Sequence, residues 1–509
     1  MTVAARFAHR SLLLLSFVFF GAFAPAGEGS APDEIRALWI QAWVADLHTP
    51  EGIDKIIADA RAANFNTLIP QVRRRGDTLY FSEIEPRASG VQEDFDALQY
   101  MIDKAHALNP PMEVHAWIVT YPIWNSAAPH PSPDHPLNKH PEWLMQDSAG
   151  GFNAPNYQHD PGHPGVQQHL LDISMELINR YAIDGLHFDY IRYPEYAGAW
   201  GYNPVTVERF QRLHRRDDVP ANNDEVWRQF RRDQITQTLR RIYLHAMEAR
   251  PEVKISAATI TWGHSGVSNI DQWWTSSAYR GVYQDWRGWM EEGILDLNIP
   301  MNYYRHHNTT PPENHAQAYY NWSDFAKDHR YNRHVAIGPG IYLNTLANAI
   351  VQMRYTRAPS ASGNYAQGSC GYVYHQTNNQ RLPFSEFRKA LTEPSQYDQI
   401  TPPMFVQPAA IPPMPWKTDP VTGHLKGYVR RAGDDVAMDG AIVHLMGEGV
   451  NRMVGTDAHG FFGFVDLPPG EYSLTATWRW AETAPDVAVI AVGEVSHRDM
   501  TIAIPPSPF

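Results

Sequence analysis

Between residues 35 and 380 the chain repeats one pattern: a short apolar run, a polar stretch, then a longer segment with apolar residues at helical spacing. The apolar runs are Ala37–Trp43, Thr67–Arg73, Glu113–Val119, Gly185–Tyr190, Lys254–Ile260, Asp296–Asn302, Val335–Tyr342 and Gly371–His375. Short, nearly continuous runs rich in β-branched and aromatic residues read as strands buried on both faces. The segments between them read as helices. Thr49-Pro50-Glu51 supplies a cap and a first-turn proline for a helix reaching about Ala63. Asp94–Leu108 gathers Phe95, Leu98, Met101, Ile102 and Ala105 on one face. Further helices are predicted over 166–181, 204–213, 225–250, 315–327 and 346–354, and from a cap at Asp285. The long one is apolar at Trp227, Phe230, Ile235, Leu239, Ile242 and Leu244; its many arginines read as a solvated face. Eight strands alternating with helices over roughly 350 residues predict a (β/α)8 TIM barrel, placed at 33–392.

The rhythm then changes. Residues 393–420 include Pro402-Pro403, Pro412-Pro413 and Pro415, and read as a stiff linker. Beyond them, Leu425–Val429, Gly440–Leu445, Gly463–Val465 and Tyr472–Trp478 are short alternating strands, with turn clusters at 457–460 and 467–471. They predict a small all-β sandwich domain over 421–505. At the other end, Arg6 and Arg10 precede the apolar run Ser11–Phe20 and then Ala24-Pro25-Ala26, the layout of a secretory signal over 1–26. The run is shorter than the ~20 residues of a spanning helix. No cysteine stands at the cleavage point to carry a lipid anchor. The expectation is an exported protein, periplasmic or secreted, with no membrane span.

A net charge of −13 argues against nucleic acid or an anionic membrane as a general partner. The single cysteine, Cys370, excludes an internal disulfide and reads as a small core residue. Sixteen Trp and 25 Tyr suit a cleft that stacks rings on sugar faces, although a large barrel also buries many aromatics.

Barrel chemistry sits at the C-terminal strand ends and in the loops that follow them. The loops over 74–92, 121–165, 192–203 and 261–284 are long, hence candidates for function. The fourth strand places His187 and then Asp189 on one face, and runs into Tyr190, Arg192 and Tyr193. A carboxylate ending a buried strand is either paired structurally, with His187 or Arg192, or works as a catalytic acid. Around it the strand ends and following loops supply Trp43, Gln71, Arg73, His115, Trp117, His187, Tyr190, Arg192, Trp262, Asn302, Tyr303, Tyr304, Tyr342 and Tyr374 as candidate substrate-binding residues. Planar and amide side chains around one acid suit a polyhydroxylated ligand. For His115 a core role is equally open, and Arg73 to Arg75 could meet a sugar carboxylate or simply be solvated. No phosphate-binding loop, dinucleotide fingerprint or serine elbow is present.

The segments Arg36–Ile40, Phe65–Tyr80, Glu113–Trp117, Asp184–Pro194 and Ile299–Tyr304 together resemble glycosyl-hydrolase-like family 10 over about 34–384. The resemblance implies a barrel that hydrolyses glycosidic bonds in bacterial polysaccharide, including peptidoglycan strands stripped of their peptides. Many relatives carry two adjacent acids where this chain has Asp189-Tyr190, which leaves the second catalytic group to be found. The C-terminal segment resembles carboxypeptidase-regulatory-like accessory domains. Asp189 is then the expected general acid, with no cofactor. Asp77, Glu195 and Asp271 are the candidate second acids, with Glu83 behind them, while Asp184 and Asp296 sit at the opposite strand ends and read as structural. An N-acetyl group of the substrate is an alternative nucleophile. Two other functions stay open: a zinc-dependent polysaccharide deacetylase with His115, His187 and Asp189 around one ion, and a glycan-binding barrel without catalysis.

Overall fold

The computed structural model describes residues 32–504; the predicted secretory signal lies outside them. Eight parallel strands close into a barrel in chain order. They are β1 (Ile35–Ile40), β2 (Thr67–Arg73), β3 (Glu113–Val119), β4 (Gly185–Asp189), β5 (Lys254–Thr259), β6 (Leu297–Asn302), β7 (His334–Pro339) and β8 (Gly368–Gly371). Around them run α1 (Pro50–Ala62), α2 (Ala97–His106), α3 (Pro164–Arg180), α4 (Pro204–His214), α5 (Glu225–Ala249), α6 (Trp286–Glu292), α7 (His315–Asp328), α8 (Leu346–Tyr355) and α9 (Phe384–Thr392). Strands such as β1, β2 and β4 are buried at every position, because side chains fill the barrel on one face and helices cover the other.

Inside, the side chains stack in layers set by the register of β3 against β4. His115 lies level with Gly185, Trp117 with His187, and Val119 with Asp189. Gly185 is required at the lowest of these levels: a Cβ there would fall 2.6 Å from the His115 ring. Asp189 therefore stands in the uppermost layer, at the C-terminal mouth.

Three expectations are corrected. First, β8 is Gly368–Gly371, so it ends where the predicted run begins. Its sequence, Gly-Ser-Cys-Gly, has almost no apolar bulk and leaves no hydrophobic signal. Second, the arginine face of α5 is not solvated. Arg231, Arg232 and Arg241 are buried under the C-terminal domain and the loops after β4 and β5. Third, the proline-rich stretch is strapped across the N-terminal end of the barrel rather than spanning free space. Ala410 O accepts from Glu34 N, Phe405 O from Asn64 Nδ2, and Asp296 holds both Trp416 Nε1 and Lys417 Nζ. Phe405 packs edge-on against Phe65.

The C-terminal strands form two separate sheets. In one, β9 (Gly423–Arg431) pairs antiparallel with β12 (Phe461–Leu467); in the other, β10 (Ile442–Gly447) lies between β11 (Val450–Gly455) and β13 (Gly470–Trp478). Their own core includes Leu425, Val443, Phe464 and Leu474, whereas Phe461 and Val465 join the barrel core. The seam is close. A Cβ on Gly463 would meet Leu244 Cδ1 of α5 at 2.1 Å. Arg209 of α4 grips Asp439 through two hydrogen bonds of 2.9 and 3.0 Å.

Candidate active site

A cleft of about 600 Å³, counting its open mouth, lies over the C-terminal ends of β1 to β4. Among the described residues that line it, Asp189 is the one carboxylate. Burial raises its pKa above the usual carboxylate value. The Arg192 guanidinium, the Tyr190 N–H and the Trp117 indole oppose that rise, while the charge of Glu195 adds to it. Tyr190 N donates to Asp189 Oδ1 at 2.7 Å, and Arg192 Nη1 stands 3.7 Å from the same oxygen. Tyr190 itself takes φ 52°, which is uncommon for a bulky side chain and is stored strain of the kind that gathers at working sites.

The floor is aromatic. Tyr372 and Tyr303 lie with ring centroids 4.9 Å apart, and Trp39 meets both edge-on. Burial holds both phenols protonated, so each is a hydrogen-bond donor at neutral pH. Tyr372 is joined to Gln41 through its hydroxyl, and its peptide bond to Val373 is cis. Trp39 is fixed from below: its Nε1–H donates to His187 Nε2 at 3.0 Å. An indole can only donate, so His187 Nε2 accepts and Nδ1 carries the proton toward Ser256 Oγ, 2.9 Å away. Burial keeps His187 neutral. The walls come from long loops. A small hairpin pairs Pro122–Trp124 with Tyr157–Gln158, and Trp43 and Tyr196 stand exposed on the rim, with Arg75 stacked on Trp43 at 4.7 Å.

Of the residues proposed from sequence, Trp43, Gln71, Trp117, Asp189 and Tyr190 line this cleft. Tyr303 lies in its floor, Tyr342 meets Tyr303 and Tyr372 edge-on from behind, and Arg192 and Trp262 border its side. The others are placed elsewhere. Arg73 is fully buried in a bidentate pair with Glu85. His187 is a core residue with both ring nitrogens engaged. His115 bonds Glu113 at the lower end of the barrel. Asn302 points outward to Ser323, and Tyr304 bonds the carbonyls of Thr261 and Gly263. Tyr374 packs against Lys55 and Asp59 of α1, because β8 ends earlier than its pattern suggests.

This geometry removes the metal reading of His115, His187 and Asp189. They occupy successive layers, and four residues of strand put His115 about 13 Å below Asp189, far beyond one ion's reach. It also sorts the second acids. Asp77 is buried against Arg74, Glu83 pairs with Arg180, and Asp271 opens a short surface helix away from the cleft. Glu195 is different: Arg192 Nη2 holds it at 3.2 Å while Nη1 reaches Asp189.

The sequence pattern of the glycosyl hydrolase-like 10 family matches residues 34–354. The chain belongs to that family. The matched span holds β1 to β7 and Asp189 but stops before β8, so Tyr372 lies outside it. Glycosyl hydrolase YngK of Bacillus subtilis (strain 168) is 26% identical over 325 residues, 58% of this chain and 58% of that protein. Glycosyl hydrolase DigH of Escherichia coli (strain K12) is 26% identical over 307 residues, 53% of this chain and 62% of its own length. The alignments thus span 58 to 62% of these curated relatives. The solved glycoside hydrolase domain of PgaB (BpsB) from Bordetella bronchiseptica is 12% identical, with a TM-score of 0.49 over 72% of this chain and all 100% of that domain.

The cleft of this family member holds Arg75, from the arginine run read as a possible carboxylate contact, and Trp124 beyond β3, together with residues that the sequence did not single out: Asn156, Tyr157, Tyr196 and Tyr372. Tyr372 was within reach, since it begins the aromatic run after the last strand; the misplaced strand end hid it. No helix among the described residues is long and apolar enough to cross a membrane.

Proposed function

We propose that the protein is an exported glycoside hydrolase that cleaves a bacterial polysaccharide, peptidoglycan glycan strands lacking stem peptides being the first candidate. The observation that carries this reading is Asp189: one buried carboxyl with a raised pKa, alone in an aromatic cleft at the barrel mouth. Burial favours the protonated form, which the acid step requires. Trp43, Trp124, Tyr157 and Tyr196 offer ring faces for successive sugars. The signal-like start of the chain and the family membership point the same way.

Glu195 is the second group of this reading. One guanidinium bridges both carboxyls, which keeps their oxygens within about 9 Å of each other, a limit that the ~6.5–9.5 Å spacing of inverting enzymes and the ~5–5.5 Å spacing of retaining ones both meet. In the reaction, Asp189 gives its proton to the glycosidic oxygen as the C–O bond breaks. Glu195 takes a proton from the water that bonds to the anomeric carbon from the opposite face. The test is reducing-end release from peptide-free peptidoglycan, intact peptidoglycan, partly deacetylated poly-N-acetylglucosamine and β-glucan, with wild type beside Asp189→Asn. Proton NMR of the first product gives its anomer. Cleavage abolished in Asp189→Asn, with inversion, supports both assignments. Retention overturns the role of Glu195, and release of no reducing ends from any polymer overturns the activity.

A further inference from the structure

A second cleft, about 730 Å³ with its open mouth, adjoins the first. Tyr196 lines both, and Glu195 and Trp262 lie at their junction beside Arg192. Its far wall carries Arg228, Arg231 and Arg280. Arg231 is 1% exposed, yet no carboxylate among the described residues pairs with it within 4 Å; the buried Asp160 feels its charge from further off. Its donors go to neutral acceptors, Trp200 O at 2.9 Å, Asn222 Oδ1 at 2.9 Å and Asn222 O at 3.2 Å, and its Nε has none. The Tyr283 and Trp227 rings complete its surroundings. Arg228 and Arg280 stand further out and share a single carboxylate, that of the exposed Glu225. Glu195 is already taken by Arg192.

Three positive charges, one buried and two nearer solvent, thus meet one shared, exposed negative charge at this wall. A buried guanidinium with no carboxylate in contact is costly to keep and always charged. Its field is weakly screened and extends into the cleft. The three hydrogen bonds of Arg231 tie down the loops at Trp200 and Asn222, and its charge comes in addition to them. Trp262 and Tyr196 add ring faces beside the charge. A ring face next to guanidinium groups that outnumber their carboxylates is the chemistry that recognises a sugar carrying a carboxylate.

We propose that this cleft is a subsite for a carboxylate-bearing sugar of the same glycan chain whose bond is cut at Asp189. The inference rests on the glycosidase reading for its substrate, but binding at the subsite is measured separately from hydrolysis. The carboxylate could belong to the lactyl ether of an amino sugar or to C6 of a uronic acid, and two probes separate them. One is peptide-free N-acetylglucosamine–N-acetylmuramic acid oligomers; the other is oligogalacturonate. Each is compared with its carboxyl-reduced form, in which the carboxylate becomes a primary alcohol.

Calorimetric titration of the wild-type protein should show at least about tenfold tighter binding of one native oligomer than of its reduced counterpart. That ratio should fall as sodium chloride rises, since the added attraction is ionic. In Arg228→Gln/Arg280→Gln the ratio should drop to within about twofold, with affinity for the reduced oligomer unchanged. Arg280→Gln alone, at a half-exposed position, should lower the ratio about threefold and guards against misfolding of the double variant. Which oligomer shows the ratio names the source of the carboxylate. Equal affinity of wild type for native and reduced forms of both probes overturns the subsite, as does a ratio that survives both substitutions. Charge-dependent binding with no hydrolysis of any polymer would overturn the activity and leave the subsite standing; hydrolysis without charge dependence would do the reverse.

Discussion

Arg73 was a candidate substrate contact by its position at the end of β2, and the structure makes it half of a buried ion pair instead. The difference is measurable through Glu85→Gln. Both side chains have 0% exposure, and Arg73 Nε and Nη2 each meet a Glu85 oxygen at 2.7 Å. Arg73 also bonds the carbonyls of Val119 and Thr120, and His169 Nε2 lies 2.9 Å from Glu85 Oε1. Removing one partner strands the other charge in the interior, which costs about 3–5 kcal/mol. At about 1.3 °C per kcal/mol for a barrel of roughly 360 residues, the melting temperature should fall by roughly 4–7 °C. Replacing both members, Arg73→Met/Glu85→Leu, removes the stranded charge and should recover most of that loss. The pH dependence has a fixed sign. Arg73 and His169 hold the Glu85 carboxyl far below its usual range even though burial pushes the other way. A depressed carboxyl stabilises the fold above its unfolded pKa of about 4.3, and that contribution is lost as pH falls through the folded value. The gap between wild type and Glu85→Gln should therefore be widest at neutral pH and close toward strong acid. Scanning fluorimetry across pH reads all of this. A loss below about 1 kcal/mol at pH 7, or a raised KM with an unchanged melting temperature, would show that Arg73 meets substrate and that the ion-pair argument is wrong.

Further expectations concern the site and the seam. Asp189→Asn should lower kcat by about 10²–10⁴-fold without loss of thermal stability, since it removes a buried ionisable group that has no short ion pair. The raised pKa of Asp189 sets the alkaline limb: activity should fall as pH rises through it. If Glu195 serves as the proposed base, Glu195→Gln should lower kcat by about 10²–10⁴-fold at every pH on that profile. His187→Phe takes the acceptor from the Trp39 indole and should cost about 1–3 kcal/mol by urea titration, with no gain or loss of sensitivity to EDTA. Gly463→Val drives a side chain into Leu244 and should open the seam, seen as faster trypsin cleavage near 393–420 while the barrel stays intact.

What could be read in advance followed the physics of burial. Seven barrel strands announced themselves because parallel strands covered on both faces must be apolar throughout. The eighth did not, because Gly368–Gly371 carries almost no side-chain bulk and is held by its neighbours β7 and β1. That slip moved the expected mouth residue from Tyr372 to Tyr374. Period-2 counting assigned Asp189 to the inward face, but phase alone does not give height. His115, His187 and Asp189 share a phase and stand at three levels, so residues that look like one cluster on paper form a foot, a prop and a candidate acid.

The loops were legible only as length. Nothing in the pattern says that the segment after Tyr121 doubles back as a hairpin to bring Tyr157 and Gln158 over the cleft, since that depends on contacts between residues more than thirty apart. The second carboxyl shows the same limit most sharply. Asp77 sits nearer the end of its strand than Glu195 does, and on sequence alone the two were equal. Their ion pairs differ: Asp77 spends its lone pairs on Arg74 inside its own loop, while Glu195 reaches the carboxyl on β4 through Arg192, and the proposal of Glu195 rests on that difference. Which cation lies between two acids, and which face of them stays open to water, depend on how the loops fold, and neither property is written in the spacing of either acid along the chain.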